Sequence, residues 1–280
     1  MSRNKNRVGN TVQHDTSPPA DNGGGFSFVV PTEFVDLPSQ GRFYAQGHPL
    51  HEKDSVEIKQ MTAKEEDILT SRSLLKKGVA LDRLIQSLIV DKSIDPSTLL
   101  VGDRNAIIIA ARVSGYGNDY STSVVCPACE TKQNYTFDLN TASVLHGQVD
   151  SELEVSDNND GTITCVLPKT QATLVIRLIT GKEERKLLKT TSDQGLVSSQ
   201  LESVIVSVNG DSSPQAIQYA AHNLPSFDSR HLRMILKDAT PNIDLSQQFV
   251  CSSCEFAQQM EVPLTADFFT VKVYMNRFFS

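Results

Sequence analysis

The sequence has no tryptophan, only five cysteines among 280 residues, and no run approaching the roughly 18 apolar residues that a membrane span needs. Its net charge of −7 and isoelectric point near 5.4 also argue against a large phosphate-binding surface. The first 25 residues contain no apolar segment typical of a secretory signal peptide. We therefore expect the cysteines to act as metal ligands in a reducing compartment rather than to form disulfides.

Catalytic motifs are missing as well. The sequence contains no nucleophile elbow, no glycine loop for phosphate and no H-E-x-x-H pair. The adjacent acids Glu65, Glu66 and Asp67 fall at a helix start, where acids are common and where neighbouring side chains diverge. We expect a protein that is not an enzyme and that has no catalytic residues.

Two C-x-x-C steps are the strongest chemical pattern in the chain. Cys126 and Cys129 form the first, and Cys251 and Cys254 form the second, each between segments of alternating polarity that predict a β-hairpin. Two such knuckles supply the four thiolates of a tetrahedral zinc site. Roughly 120 residues separate the steps, where a compact zinc ribbon has about 20. We predict one structural Zn²⁺ per chain, although the residues alone leave iron open.

An internal repeat explains this separation. At an offset of 125 residues, identical or similar residues align around both knuckles and upstream of them, with Asp103 aligned to Asp228. At an offset of 118, the segment 58–66 aligns with 176–184. Three blocks in the same order favour two copies of one unit over two unrelated knuckles that align by chance.

The predicted fold is α+β, built from a duplicated unit of strand, helices and C-x-x-C β-hairpin. The two knuckles would join as a zinc-ribbon-like site on a pseudo-twofold axis. The predicted organisation is a disordered N-terminal tail (1–25), a first copy (26–145), an acidic linker (146–162), a second copy (163–270) and an aromatic C-terminal tail (271–280). For the closing aromatics, which begin at Phe268 and Phe269, contact with a partner is favoured over packing on the body.

Local signals predict individual helices. Thr62 with Glu65, and Thr180 with Glu183, have the spacing of a capping box. A single helix is predicted from the first box to Gly78. Asp103 is predicted to cap a later helix, and Ser226 or Asp228 to cap its counterpart in the second copy.

Two other groups of possible ligands are set aside. His48, His51 and Glu52 lie in a loop without a cysteine and without further ligands at suitable spacing, so we expect hydrogen-bonded or solvated side chains. Cys165, in an apolar alternating segment, is expected to be a small buried strand residue.

The first half resembles a known family. The run Phe34–Tyr44, the segment Val56–Leu69 and the step Cys126–Cys129 look like the baseplate hub subunit family of T-even-type contractile-tailed bacteriophages. The resemblance covers residues 34–140 strongly, and the second half only in its C-x-x-C step and general plan. It implies a structural or assembly protein of the tail baseplate hub, made in the host bacterial cytoplasm and binding other hub or tail proteins. It leaves open whether the protein stays in the virion, and it supplies no catalytic residue.

A different class of function remains as an alternative. Zinc ribbons also occur in nucleic-acid-binding or regulatory proteins. Here Glu130 and Glu255 lie at the knuckle tips with only Lys132 as a nearby base, and such acids repel phosphate. We therefore expect neither a nucleic-acid partner nor a membrane span.

Overall fold

The computed structural model describes residues 29–149, 155–189, 196–262 and 266–269. The chain divides into two units, Met1–Val30 and Pro31–Ser280, and the helices and strands described lie in the second unit. The predicted tails at 1–25 and 271–280 lie outside the described residues. Among those described, no helix has the length and apolar composition needed to cross a membrane.

Helices and short antiparallel sheets are mixed along the chain, which confirms the predicted α+β class. The helices are α1 Ala63–Thr70, α2 Arg72–Lys76, α3 Ala80–Leu88, α4 Val101–Tyr116, α5 Gly181–Lys189, α6 Leu196–Val204, α7 Pro214–Asn223 and α8 Ser226–Ala239. The strands are β1 Thr32–Asp36, β2 Ser55–Lys59, β3 Asp119–Val125, β4 Lys132–Asp138, β5 Ser143–Leu145, β6 Val155–Asp157, β7 Thr162–Val166, β8 Thr173–Arg177, β9 Ile205–Val208, β10 Asn242–Asp244, β11 Gln247–Val250 and β12 Ala257–Met260.

The strands form five separate antiparallel groups. β1 pairs with β2, β3 with β4, β5 with β10, and β11 with β12, while β6, β7, β8 and β9 form one sheet in that order. β6 lies inside the segment 146–162 predicted as a linker, so part of that segment belongs to a sheet. Cys165 on β7 is fully buried, in agreement with the prediction, and burial raises the pKa of its thiol to about 11.

The helix predicted to run to Gly78 is broken, so this prediction was wrong. Ser71 has an extended backbone (φ −66°, ψ 107°) that ends α1 and starts α2. The break turns the short helix α2 outwards, with no residue of α2 buried. α3 then packs Leu84, Ile85 and Leu88 into the core.

Both predicted capping boxes are present. The Glu65 carboxylate accepts hydrogen bonds from the Thr62 amide and hydroxyl, and Glu183 accepts the equivalent bonds from Thr180. Each glutamate also forms an ion pair with a basic residue on the preceding strand. Lys59 lies 3.2 Å from Glu65, and Arg177 lies 3.5 Å from Glu183. The same local arrangement therefore starts α1 and α5.

Asp103 does not cap a helix, contrary to the prediction. α4 begins at Val101, so Asp103 lies within its first turn, where its side chain is fully buried. Its carboxylate accepts bonds from the Ser39 amide (3.0 Å), the Ser39 hydroxyl (2.6 Å) and the Tyr44 hydroxyl (2.8 Å). Burial raises the pKa of Asp103 although these bonds oppose the rise. Asp103 thus fastens the loop after β1 to α4.

Asp228 does the same on α8, and the predicted cap there was also wrong. The N-cap is Pro225, and Asp228 is again buried in the first turn. Its carboxylate accepts bonds from the Lys169 amide, the Thr170 amide and the Thr170 hydroxyl. It fastens the turn after β7 to α8.

An ion-pair group joins α3, α4 and α5. Arg104 donates to Asp82 and Glu184, both at 2.6 Å, and Arg185 lies 2.9 Å from Asp82. Gly181 makes room for this group, because a Cβ there would lie 2.4 Å from the Arg104 guanidinium. The group therefore connects helices from the first and second halves of the chain.

The closing aromatics pack on the body. Phe268 and Phe269 are buried, and the Phe268 carbonyl accepts a 2.8 Å bond from the Arg112 guanidinium. The rings of Phe268 and Tyr120 meet edge to face at 4.9 Å. The expected contact with a partner was therefore wrong for these two residues, because Arg112 and Tyr120 of the first half form a pocket for Phe268.

Candidate metal centre

The first knuckle is a tight turn between β3 and β4. Val125 and Lys132 are the last paired residues of the hairpin. The Cys126 amide donates to the Thr131 carbonyl (3.0 Å), and the Glu130 amide donates to the Cys126 carbonyl (2.9 Å). Glu130 adopts the left-handed conformation (φ 57°) that closes this turn. The turn leaves Cys126 buried and Cys129 exposed.

The second knuckle repeats this geometry between β11 and β12. The Cys251 amide donates to the Phe256 carbonyl, and the Glu255 amide donates to the Cys251 carbonyl. Glu255 has a φ of 58°. Cys251 is buried and Cys254 is exposed, the same order as in the first knuckle.

Side chains of β4 hold the two hairpins together. The Gln133 side-chain oxygen accepts bonds from the Ser252 amide (3.0 Å) and hydroxyl (2.8 Å). The Tyr135 hydroxyl donates to the Gln248 carbonyl (2.7 Å). The Tyr135 ring also meets that of Phe249 edge to face at 5.3 Å. These contacts position the second knuckle against the first.

The four cysteine sulfurs converge. All four Sγ atoms of Cys126, Cys129, Cys251 and Cys254 lie within 4.8 Å of one another. The closest pairs across the knuckles are Cys126 with Cys254 (3.8 Å) and Cys129 with Cys251 (3.7 Å). These separations are too long for disulfides. A tetrahedral ion with Zn–S bonds of about 2.3 Å has sulfur–sulfur edges of about 3.8 Å, so the residues fit a metal with four thiolate ligands.

The electrostatics of the cluster also favour a cation. Hydrogen bonds from the hydroxyl and amide of Thr131 lower the pKa of Cys129 to about 6. The Phe256 amide favours the thiolate of Cys254, but the other cluster sulfurs and burial outweigh it and raise that pKa to about 12. Cys129 and Cys254 therefore do not ionise together by themselves, whereas a divalent cation stabilises thiolate ligands.

Two contributors to this centre were not anticipated. Thr131 has its hydroxyl 3.3 Å from the Cys129 sulfur, and Gln133 bridges to Ser252. Gln133 aligns with Gln258 at the sequence offset of 125 residues, but alignment alone gives no role. Their positions in the sequence were the available signal: Thr131 ends the turn of the first knuckle, and Gln133 lies on β4, the strand that follows it.

The set-aside histidines lie in hydrogen-bonded loops, as expected. His48 bonds the Thr98 hydroxyl and the Leu50 amide, and its ring stacks on Tyr44 at 4.3 Å. His51 bonds the Tyr44 carbonyl. Among the residues that the structure describes, the four cysteines form the metal-ligating cluster, and no histidine joins it.

Comparison with known proteins finds a family match for the first half of the chain. Residues 31–163, just under half of the chain, match the family model described as "T4 bacteriophage base plate protein". No curated protein and no solved structure matches the chain. The matched region contains β1, β2, α1 to α4 and the first knuckle, the same part that carries the resemblance in sequence. Residues 31–163 are therefore similar to the baseplate proteins of T4-type bacteriophages.

Proposed function

We propose that this protein is a structural or assembly subunit of the tail baseplate hub, in which one Zn²⁺ ion fastens two copies of a duplicated unit. The observation that carries the proposal is the convergence of four sulfurs, two from each knuckle, within 4.8 Å. The baseplate family match supports the setting.

Repeated contacts support the duplication. Asp103 and Asp228 lie 125 positions apart, and each binds the loop that follows the first strand of its half. Glu65 and Glu183 lie 118 positions apart, and each closes a capping box and pairs with a base on the preceding strand. Unrelated units would not share buried polar contacts in the same chain order.

The sulfur contacts support an approximate twofold axis through the metal. An exchange of the copies maps Cys126 onto Cys251 and Cys129 onto Cys254. That exchange turns the contact between Cys126 and Cys254 (3.8 Å) into the contact between Cys251 and Cys129 (3.7 Å). The near equality of the two distances is what such an axis requires.

A metal with four protein thiolates has no open position for water or substrate, so its role is structural. We propose that the protein is not an enzyme and that it acts by binding other hub and tail proteins, after synthesis in the host bacterial cytoplasm. The four sulfurs lie within 4.8 Å of one another, which suits a single tetrahedral ion, and we propose Zn²⁺ because a closed set of four thiolates is its usual structural site.

Metal analysis tests the centre. We expect one zinc ion per chain in protein purified without added metal, and less than half of that in Cys129→Ser. Cys165→Ala is the matched control, since it removes a cysteine outside the cluster and should leave the metal content unchanged. A visible absorption spectrum with iron in place of zinc would overturn the choice of metal, and equal metal in all three proteins would overturn the site.

Antibody labelling of purified tails and of assembly intermediates tests the hub role. We expect label at the centre of the baseplate, or on hub intermediates if the protein leaves before the virion is complete. Label on the tail tube or sheath alone would contradict the proposal. Gel shifts at rising salt address the nucleic-acid alternative, because phosphate-driven binding weakens steeply with salt. Glu130 and Glu255, exposed at the knuckle tips, make us expect no shift.

A further inference from the structure

One face of α8 is exposed and mixes apolar with basic side chains. Phe227, Arg230, Arg233, Met234 and Lys237 are all exposed, and their spacing places them on the same side of the helix. Phe227 is 57% exposed and Met234 is 49% exposed. We call these five residues the α8 outer face. Its opposite side, with Leu232 and Ile235, is buried in the core.

The charge of this face is opposite to that of the chain. The protein carries a net charge of −7, whereas the α8 outer face has three cations. In the described part of the chain, none of the three forms an ion pair. Lys169 extends the basic surface, because its ammonium lies 5.5 Å from the centre of the Phe227 ring. Asp228 is turned inwards, and Asp238 is an exposed acid at the far end of the helix.

The corresponding face of α4 is covered. At the offset of 125 residues, the five positions of the α8 outer face correspond to five positions on α4: Gly102, Asn105, Ile108, Ile109 and Arg112. All of these residues are buried except Asn105, which is half-buried.

The cover over α4 comes from two later segments of the chain. The first covering segment is 241–242. A Cβ added to Gly102 would lie 1.9 Å from the Pro241 carbonyl oxygen, and the Asn105 side chain donates a 3.1 Å hydrogen bond to the side chain of Asn242. At residues 266–269, the Phe268 carbonyl accepts from Arg112. An extended backbone and an aromatic residue thus cover this face in the first half, whereas no segment among the described residues covers the α8 outer face.

We propose that the α8 outer face is the docking surface for an extended segment of another protein that carries both carboxylates and aromatic side chains. The inference rests on the duplication proposed above. Three unpaired cations would receive the carboxylates, and Phe227 and Met234 would bury the aromatic side chains. Arginine, methionine and aromatic residues are the types enriched at protein–protein interfaces.

A protein segment suits this face better than a nucleic acid does. Two of its five positions are large and apolar, and Met234 offers no ring on which a base can stack. Carboxylates on a short segment need to match only the local cations.

The test uses fluorescence anisotropy of the full-length, metal-containing protein with a labelled synthetic peptide of alternating Glu and Phe. A Lys and Phe peptide of the same length is the comparison. We expect the acidic peptide to bind, and binding to weaken by about tenfold or more in Arg230→Glu/Arg233→Glu, since two favourable charge contacts become repulsive. Phe227→Ser should weaken binding without a change in net charge. The matched control is Lys76→Glu/Lys77→Glu, which makes the same charge change at exposed positions at the end of α2 and should bind as the wild type does.

Several results would overturn the docking surface. They are no binding of the acidic peptide by the wild type, equal weakening in the α2 control, or unchanged binding in Phe227→Ser. Preferential binding of a single-stranded oligonucleotide would point to nucleic acid instead. A dimer seen by sedimentation and lost in the Arg230→Glu/Arg233→Glu variant would assign the face to a second copy. Metal content and melting temperature, measured on the same samples, report separately on the proposed zinc centre, so the failure of one proposal is distinguishable from the failure of the other.

Discussion

Removal of one sulfur should destabilise both halves of the protein together. Structural zinc contributes about 10–16 kcal/mol in small peptides with four ligands, so each ligand accounts for about 3 kcal/mol. The four sulfurs of this centre lie within 4.8 Å, and two come from each hairpin, so this share applies to Cys129 as to the others. We therefore expect Cys129→Ser to lower the free energy of unfolding by about 3 kcal/mol. For a unit of this size, that loss lowers the melting temperature by about 6–12 °C.

The assay is thermal unfolding by circular dichroism, combined with hydrogen exchange of the two hairpins. In Cys129→Ser, amide protection should fall in β11–β12 as well as in β3–β4, although the substitution lies only in the first hairpin. A chelator should lower the melting temperature of the wild type towards that of the variant and should change the variant little. Loss of protection confined to β3–β4, or two separate melting transitions, would refute the shared centre. Cys165→Ala serves again as the control, because its thiol lies on β7 outside the cluster.

Three further predictions concern buried polar groups, each measured by urea unfolding. Asp103→Asn should cost about 1–3 kcal/mol, because an amide cannot accept all three hydrogen bonds made to the carboxylate and leaves a buried donor without a partner; an unchanged midpoint would contradict this. Burial raises the pKa of Glu65, but hydrogen bonds from neighbouring hydroxyl, amide and ammonium groups outweigh it and lower the pKa to about 2. Its contribution of about 3 kcal/mol is therefore present above the ordinary carboxyl pKa and is lost as the pH falls towards 2. The stability difference between wild type and Glu65→Gln should shrink on acidification from neutral pH, and a constant difference would contradict the pKa. Gly181→Ala should cost about 1–3 kcal/mol, because its Cβ meets the Arg104 guanidinium at 2.4 Å and two carboxylates hold that group in place; equal stability would show that the arginine moves aside.

Features with a local cause could be predicted from the sequence. The capping boxes at Thr62 and Thr180 depend on residues three positions apart, and both formed as predicted. The knuckle turns depend on five or six residues, and Glu130 and Glu255 close them in the same conformation. The approach of the two knuckles could also be predicted, although they are far apart in the chain, because the chemistry of zinc requires a second pair of thiolates for each C-x-x-C step.

Features decided by tertiary packing could not be predicted in this way. An aspartate in a first helical turn is usually a cap or a favourable charge, and nothing nearby shows that Asp103 binds a loop 64 residues earlier in the chain. Ser71 breaks a helix that its neighbours would otherwise continue. Phe268 packs against the rest of the protein because Arg112 and Tyr120, which are distant in the sequence, form its pocket.

Under the proposed duplication, the differences between the halves show how a repeated unit becomes a specific component. Both halves keep the buried carboxylate in the first turn of α4 and α8, since loss of either would leave several buried donors without partners. Outside those contacts the helices diverge: the covered set on α4 has one cation, the hydrogen-bonded Arg112, whereas the α8 outer face has three cations and two large apolar groups. Burying a bare cationic face inside the chain would be costly, because each charge would lose its hydration without gaining a partner. A segment that supplies carboxylates removes this cost. The cations that prevent α8 from being covered in the way α4 is covered therefore also select an acidic partner.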